Sequence, residues 1–277
     1  MIDHPRDALT FPLSESQTLD PYVPPTPDPE YPTLHVTLTF ATSLDSSLSL
    51  APGTQTALSG LASKSMTHYL RSKHDAILIG VGTAVADNPS LNCRIGGVGG
   101  YGGKGLKGQP RPVVLDPRGR WEVNNESKVI KLAKEGRGKA PWVIRMTNAK
   151  EENAREKEKV LKAVGGDVFI VPSECSSASE SMSRIDWSNI FSLLTAKGIR
   201  SVMIEGGGGV INDLLHPQNF GLVDTVIVTI APVWLGKGGV QVCPDERVEE
   251  GVRIPVGRLR DVKWVPLGED VVLCGRP

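Results

Sequence analysis

Residues 201–216 constrain the fold more than any other stretch of the chain. Ser201 to Ile204 read as a buried strand, Glu205 ends it, and Gly206, Gly207, Gly208 and Gly209 open a helix that runs towards His216. Glycine leaves no Cβ in the way, and the first amides of a helix point outward at the positive end of its dipole. The turn is therefore suited to an anion, with a carboxylate standing beside it. One glycine at a strand-to-helix turn has a purely steric reading; four in a row favour phosphate binding. Two familiar motifs are excluded: Ile211 stands where G-x-G-x-x-G needs its third glycine, and no Gly-Lys-Ser/Thr follows.

A chain of 277 residues makes one large domain or two small ones, and equal totals of 31 basic and 31 acidic residues offer no footprint for nucleic acid or an anionic membrane. Small-molecule chemistry is the better expectation. Cys93, Cys175, Cys243 and Cys274 form no C-x-x-C, and His4, His35, His68, His74 and His216 lack ligand spacing, so no metal site is expected and the cysteines read as free thiols. The first residues lack a signal-peptide pattern and no apolar run approaches a membrane span, which points to the cytoplasm.

Residues 1–32 carry eight prolines among polar residues and read as an extended, flexible tail, leaving 33–277 as a single domain. His35 to Thr42 alternates as a strand; Met66, Tyr69 and Leu70 mark a helix over 63–73; Ala76 to Val81 is a buried strand. A second glycine turn follows, carrying Thr83, Asp87 and, further on, Arg94. By themselves Thr83 reads as a helix N-cap and residues 87–89 as a turn. The glycine- and lysine-rich segment 96–109 is expected to be a mobile loop. Strands are predicted after Arg111 and Pro141 and at 168–171. A solvated helix is predicted over 150–162, with Glu151–Arg155 and Glu158–Lys162 pairs, and a serine-rich loop over 173–183. Asp186 caps a helix of Trp187, Ile190, Phe191 and Leu194, which stops at Gly198. A buried strand from Asp224 and an antiparallel pair near 259–266 and 270–274 finish an α/β domain with a largely parallel sheet and helices on both faces.

Five segments in order, 40–45, 71–94, 113–118, 204–207 and 231–236, resemble the reductases of riboflavin biosynthesis, which have a dihydrofolate-reductase-like fold. The resemblance covers roughly residues 34–275. It implies NADPH-dependent reduction of the ribosyl group of a phosphoribosylamino-pyrimidinone, and the stand-alone form is similar to the fungal or archaeal type acting on 2,5-diamino-6-ribosylamino-4(3H)-pyrimidinone 5′-phosphate. No H-x-E with P-C-x-x-C occurs, so a deaminase site is not expected. One departure is Ser46, where many relatives carry glycine after Ser-Leu-Asp.

Carried over by position, the resemblance puts Thr83 and Asp87 on NADPH, Gly206, Gly207, Gly208, Gly209 and Val210 around its pyrophosphate, and Ile185 near its adenosine half. It puts Arg71, Leu91, Arg94 and Glu205 on the substrate, with Glu205 as a candidate catalytic group, and it implies a homodimer. Arginines suit a 5′-phosphate, and a carboxylate suits ribityl hydroxyls or an aminopyrimidine edge. Three alternatives stay open: reduction of the deaminated pyrimidine, reduction of another pteridine or pyrimidine, and a non-catalytic NADPH-binding module.

Overall fold

A computed structural model describes residues 5–25, 33–146, 154–172 and 185–277. The first half of the chain holds α1 (Leu13–Leu19), β1 (His35–Thr42), β2 (Ser47–Ser49), α2 (Leu61–Lys73), β3 (Ala76–Gly80), α3 (Val81–Asp87), β4 (Arg111–Leu115) and α4 (Lys128–Lys134). The second holds β5 (Trp142–Met146), α5 (Ala154–Ala163), β6 (Asp167–Val171), α6 (Trp187–Ala196), β7 (Ser201–Gly206), α7 (Gly208–Leu215), β8 (Thr225–Ile230) and β9 (Val240–Gln241). The chain closes with β10 (Arg247–Glu249), β11 (Val252–Ile254), β12 (Arg260–Leu267) and β13 (Asp270–Arg276).

Nine strands form one sheet in the order β12-β13-β8-β1-β7-β3-β4-β5-β6. Only β13 runs against its neighbours, pairing antiparallel with both β8 and β12. The largely parallel sheet and its closing antiparallel pair are as expected. A sheet covered on both faces needs strands without polar breaks, and β3 is buried at every position. Its side chains alternate between two cores. Ala76 and Leu78 join Leu38, Ile204, Trp187 and Leu214 on the face covered by α6 and α7. Ile77 and Ile79 join Ile130 and Leu161 on the face covered by α3, α4 and α5.

Towards the other edge, Met66 and Leu70 of α2 pack on Met203, Ile227, Val272 and Cys274. The same cluster takes in Leu19 and Tyr22, which are almost fully buried, and Phe11 stacks on Tyr69 at 5.1 Å between centroids. The expected flexible tail is therefore corrected for residues 5–25: a helix forms there, and its apolar face completes the packing of α2. Residues 26–32 lie outside the described residues.

Segment 96–109 also departs from expectation. It is folded on itself rather than open: Gly97 N–H donates to Tyr101 O at 2.8 Å, Gly99 N–H to Lys107 O at 2.8 Å and Gly103 N–H to Val98 O at 3.0 Å. Tyr101 is fully buried, and a Cβ at Gly99 or Gly103 would overlap neighbouring backbone. Here glycine serves close approach rather than mobility.

The α5 helix shows the Glu158–Lys162 pair at 2.6 Å, whereas the predicted Glu151–Arg155 pair and the serine-rich loop fall outside the described residues. Cys93, Cys243 and Cys274 are free thiols, and Cys175 also lies outside the described residues. No described helix is long and apolar enough to cross a membrane.

Buried His74 closes the C-terminus of α2. A carbonyl can only accept, so Nδ1–H donates to Leu70 O at 2.7 Å, and Nε2 accepts from the Thr37 hydroxyl at 2.9 Å. Burial pushes its pKa down to about 4, against an opposing pull from the Leu70 carbonyl. The unfolded chain binds a proton near pH 6.5 that the folded chain refuses until about pH 4, so stability is present above 6.5 and is lost as pH falls through that window. The expected loss is about 3 kcal/mol. Denaturation midpoints at pH 7 and pH 4.5 measure it, and a His74→Gln variant should respond less steeply; equal slopes would remove His74 as the cause.

Candidate active site at the carboxyl ends of β1, β3 and β7

The chain reverses direction across the sheet at β1: β3 to β6 extend to one side, β8 lies on the other, and β7 inserts between β1 and β3. In open α/β sheets such a switch point collects ligands at the carboxyl ends of the strands. Local irregularity marks the place. Leu78 pairs with Ile204 but Ile79 pairs with Gly206, so Glu205 is an extra residue in the β3–β7 ladder. Pairing of β1 with β7 stops at Ile204. A bulge of this kind re-aims a side chain.

Glu205 meets Arg71, from the last turn of α2, in a two-pronged contact. Nε donates to Oε1 at 2.7 Å and Nη2 donates to Oε2 at 2.6 Å, with the side chains 12% and 18% exposed. Burial opposes the charge on Arg71, but the Glu205 carboxylate outweighs it and the guanidinium pKa is raised. A planar fork on a carboxylate is the geometry that arginine supplies and lysine does not. Arg71 Nη1 also donates to Asn92 O at 3.1 Å.

The glycines that follow have separate reasons. Gly206 has φ 102° and Gly207 φ 86°, both in the left-handed half of the map. A Cβ on Gly206 would lie 2.5 Å from Ile211 Cδ1, and one on Gly207 would lie 3.0 Å from Thr83 Oγ1. At Gly208 a Cβ would overlap Val240 of β9, whereas Gly209 is exposed with open space around it. Amides 208–210 precede the first bond inside α7, which runs from Ile211 N–H to Gly207 O at 3.1 Å.

Thr83 therefore lies against the glycine turn, in the first turn of α3. The N-cap is Gly80 rather than Thr83, and a Cβ at Gly80 would meet Val210 Cγ2 at 3.0 Å, so α3 and α7 start side by side. Asp87 ends α3 half-buried, with its carboxyl pKa raised by burial and partly offset by Lys128. Asn88 follows at φ 42° and accepts from Lys128 N–H at 3.0 Å. Leu91 is buried at φ 54°, a conformation strained for a bulky side chain and found mostly where function holds it. Ile185 is half-buried beside the α6–α7 core, just before the Asp186 cap, and Trp187 Nε1 donates to Asp213 at 2.6 Å to tie α6 to α7.

Arg94 sits against His68. Its backbone N–H points at Nδ1 at 3.1 Å and its Nε–H at Nε2 at 3.2 Å. Burial first, then Arg71 and Arg94, push the His68 pKa down to about 2. A neutral imidazole has a single acceptor nitrogen, so it satisfies only one of those donors at a time.

Residue patterns alone did not reveal the clamp across the β1–β2 turn. Asp45 accepts from Leu235 N–H at 3.1 Å and Gly236 N–H at 2.7 Å, and from the Ser43 hydroxyl, which lowers its pKa. Ser46 holds φ 58°, so the departure from glycine keeps a left-handed turn. Asn212 of α7 reaches the same region, donating to Gln241 O at 2.9 Å and accepting from Cys243 N–H at 2.8 Å.

A switch point with an arginine–carboxylate fork, a glycine-opened helix and a second helix start beside it defines an α/β enzyme of the small-molecule class. The chain belongs to the family described as the RibD C-terminal domain, whose model matches residues 34–273. A relative from Debaryomyces hansenii is 38% identical over 241 residues, covering 87% of this chain and 88% of that protein. It is named 2,5-diamino-6-ribosylamino-4(3H)-pyrimidinone 5′-phosphate reductase, as is a Saccharomyces cerevisiae relative at 37% over 242 residues, covering 87% of this chain and 86% of that protein. The solved Saccharomyces cerevisiae riboflavin biosynthesis reductase Rib7 matches at TM-score 0.70 and 32% identity, covering 95% of this chain and 99% of that one. Acinetobacter baumannii RibD shares the fold at TM-score 0.64 and 21% identity, covering 88% of this chain and 58% of that one.

Proposed function

We propose that this protein reduces the ribosyl group of 2,5-diamino-6-ribosylamino-4(3H)-pyrimidinone 5′-phosphate to a ribityl group, using NADPH. Family membership across residues 34–273, with relatives of that name aligned over nearly their whole length, carries the reading. The geometry supplies matching chemistry. The free amides of Gly208, Gly209 and Val210, with open space at Gly209, suit the cofactor pyrophosphate, and Thr83 borders the same turn. Asp87 and Ile185 are assigned to the remainder of the cofactor. NADPH, when bound, supplies the hydride.

The chain's own residues position and shield. Arg71 holds Glu205 at the bulge, and Glu205 orients the sugar hydroxyls or the aminopyrimidine edge. Leu91 closes the apolar side, and Arg94 takes the 5′-phosphate. The protein works as a homodimer, a reading supported by the exposed Val262 and Trp264 on edge strand β12.

The test follows NADPH absorbance with the diamino and the deaminated pyrimidine phosphates side by side. Faster oxidation with the diamino compound is expected, and no oxidation with either overturns the proposal. Arg94→Ala should raise KM for the phosphorylated substrate at least about tenfold, the scale of one hydrogen bond between charged groups, with KM for NADPH little changed. Equal losses for both ligands would count against Arg94 as the phosphate residue.

A further inference from the structure

Two arginines converge on one carboxylate beside the site. Asp7, ahead of α1, lies 2.6 Å from Arg137 Nη2 through one oxygen and 3.8 Å from Arg94 Nη1 through the other. Its segment is docked by backbone bonds: Leu9 N–H donates to Arg94 O at 2.8 Å, and Gly96 N–H donates to Leu9 O at 2.9 Å.

Arg137 arrives from the connection between α4 and β5. Its guanidinium carbon stands 4.9 Å from the centroid of the buried Tyr101 ring, and Nη2 donates to the Tyr101 hydroxyl at 2.7 Å. Asn92 fixes the backbone there, donating to Arg137 O at 2.9 Å, while the Asn92 carbonyl accepts from Arg71. Asn92 thus links the Arg71 guanidinium to the Arg137 backbone, and Asp7 links the Arg94 and Arg137 guanidinia.

Among the described residues, Arg94 has no carboxylate of its own and lies 3.8 Å from the one it shares. Glu205 is committed to Arg71, and Asp7 is shared by the other two and also accepts from the Tyr101 hydroxyl at 3.3 Å. The exposed Glu135 carboxylate accepts from Arg137 Nη1 at 3.4 Å, and neutral His68 contributes one acceptor. Arg137 Nε and Asn92 Oδ1 are buried without a hydrogen-bond partner among the described residues. Of the two, Arg137 Nε is a donor that an acceptor-only group such as a phosphate can answer, whereas Asn92 Oδ1 needs a donor and is not explained by an anion.

We propose that Arg137 is a further substrate-binding residue, which with Arg94 holds the substrate phosphate, and that Asp7 is the internal carboxylate this phosphate displaces. The proposal rests on Arg94 being the phosphate residue, as read above. Displacement is easy because Asp7 is 44% and Arg137 28% exposed, and an ion pair so open to water contributes little. A dianionic phosphate offers more charge and more acceptor oxygens to two guanidinia than one carboxylate does.

The test titrates inorganic phosphate into the wild-type protein and into Arg137→Ala, Arg137→Lys, Arg94→Ala and Asp7→Asn, reading the shift in thermal midpoint without NADPH. KM is then compared for the substrate and its dephosphorylated nucleoside. Arg137→Ala should weaken phosphate protection and raise KM for the phosphorylated substrate about tenfold, with KM for the nucleoside unchanged. Arg137→Lys should recover part of both, and Asp7→Asn should tighten phosphate binding several-fold. If Arg137→Ala does not fold, Arg137→Lys and Asp7→Asn carry the test: wild-type behaviour in both overturns the proposal. Wild-type behaviour in Arg137→Ala alongside a loss in Arg94→Ala overturns Arg137 alone. Unchanged KM in both, with NADPH still oxidised, overturns the placement of the phosphate itself.

Discussion

Glu205→Gln is expected to lower kcat/KM for the phosphorylated pyrimidine about 100-fold, close to the upper end of what one hydrogen bond to a charged group supplies. Glutamine keeps the shape and loses one acceptor: its NH2 faces an arginine N–H where Oε1 or Oε2 now accepts at 2.7 or 2.6 Å. The fork opens, and Arg71 and residue 205 both leave the positions that the bulge imposes. NADPH affinity should hold, because the glycine turn keeps its own backbone geometry. The division of the loss is informative. A rise in KM alone makes Glu205 a binding group; a fall in kcat with KM preserved makes it a participant in proton movement during sugar ring opening. Full activity would remove Glu205 from the site altogether. Stability must be read alongside, because taking one partner from a pair this sheltered destabilises by up to about 3 kcal/mol.

Alanine placed in turn at Gly206, Gly208 and Gly209 gives the second large effect. Gly206→Ala forces a side chain into φ 102° and against Ile211, and should cost roughly 2 kcal/mol of stability from the left-handed backbone and the crowded contact together. Gly208→Ala pushes on Val240 and lifts β9 away from the turn. Gly209→Ala meets no atom within 4 Å and sits in a helix, so it should be neutral or stabilising by about 0.5 kcal/mol. Its new methyl group nevertheless stands where a pyrophosphate would approach, and NADPH should bind about tenfold more weakly, the scale of one lost hydrogen bond. Weaker binding in a variant at least as stable as the parent cannot come from unfolding. Unchanged NADPH affinity in Gly209→Ala would move the cofactor off this turn. Calorimetric titration together with thermal melts measures both quantities.

The central sheet was readable because strands buried on both faces read as near-continuous apolar or β-branched runs, as β3 (Ala-Ile-Leu-Ile-Gly) and β8 (Thr-Val-Ile-Val-Thr-Ile) do. The helix of Trp187 and Ile190 was equally plain, since Asp186 caps it by accepting from Ser188 and Asn189 N–H. Tertiary context decided the failures. Proline-rich composition argued against a helix near the N-terminus, yet Leu19 and Tyr22 find a cluster assembled from α2, β8 and β13, and packing overrides the local preference. In 96–109 the sequence shows glycine but not whether glycine is there for freedom or for closeness. The Arg71–Glu205 fork joins residues 134 positions apart, and the Asp45 clamp joins residues about 190 apart. No local pattern encodes such pairings. Family resemblance placed Arg71 and Glu205 in one site, and only the structure brings them into contact with each other.

The position of β1 governs how the molecule is made. It is the first strand of the nine-stranded sheet to be synthesised, and both its neighbours, β7 and β8, begin more than 160 residues later, at Ser201 and Thr225. During translation this strand has two open edges until β7 and β8 have emerged. Contacts of such long range make folding slow, and a half-made chain exposes a surface prone to self-association. The ligand site is built on the same late pairing, so fold and binding surface are completed together once β7 and β8 have joined β1.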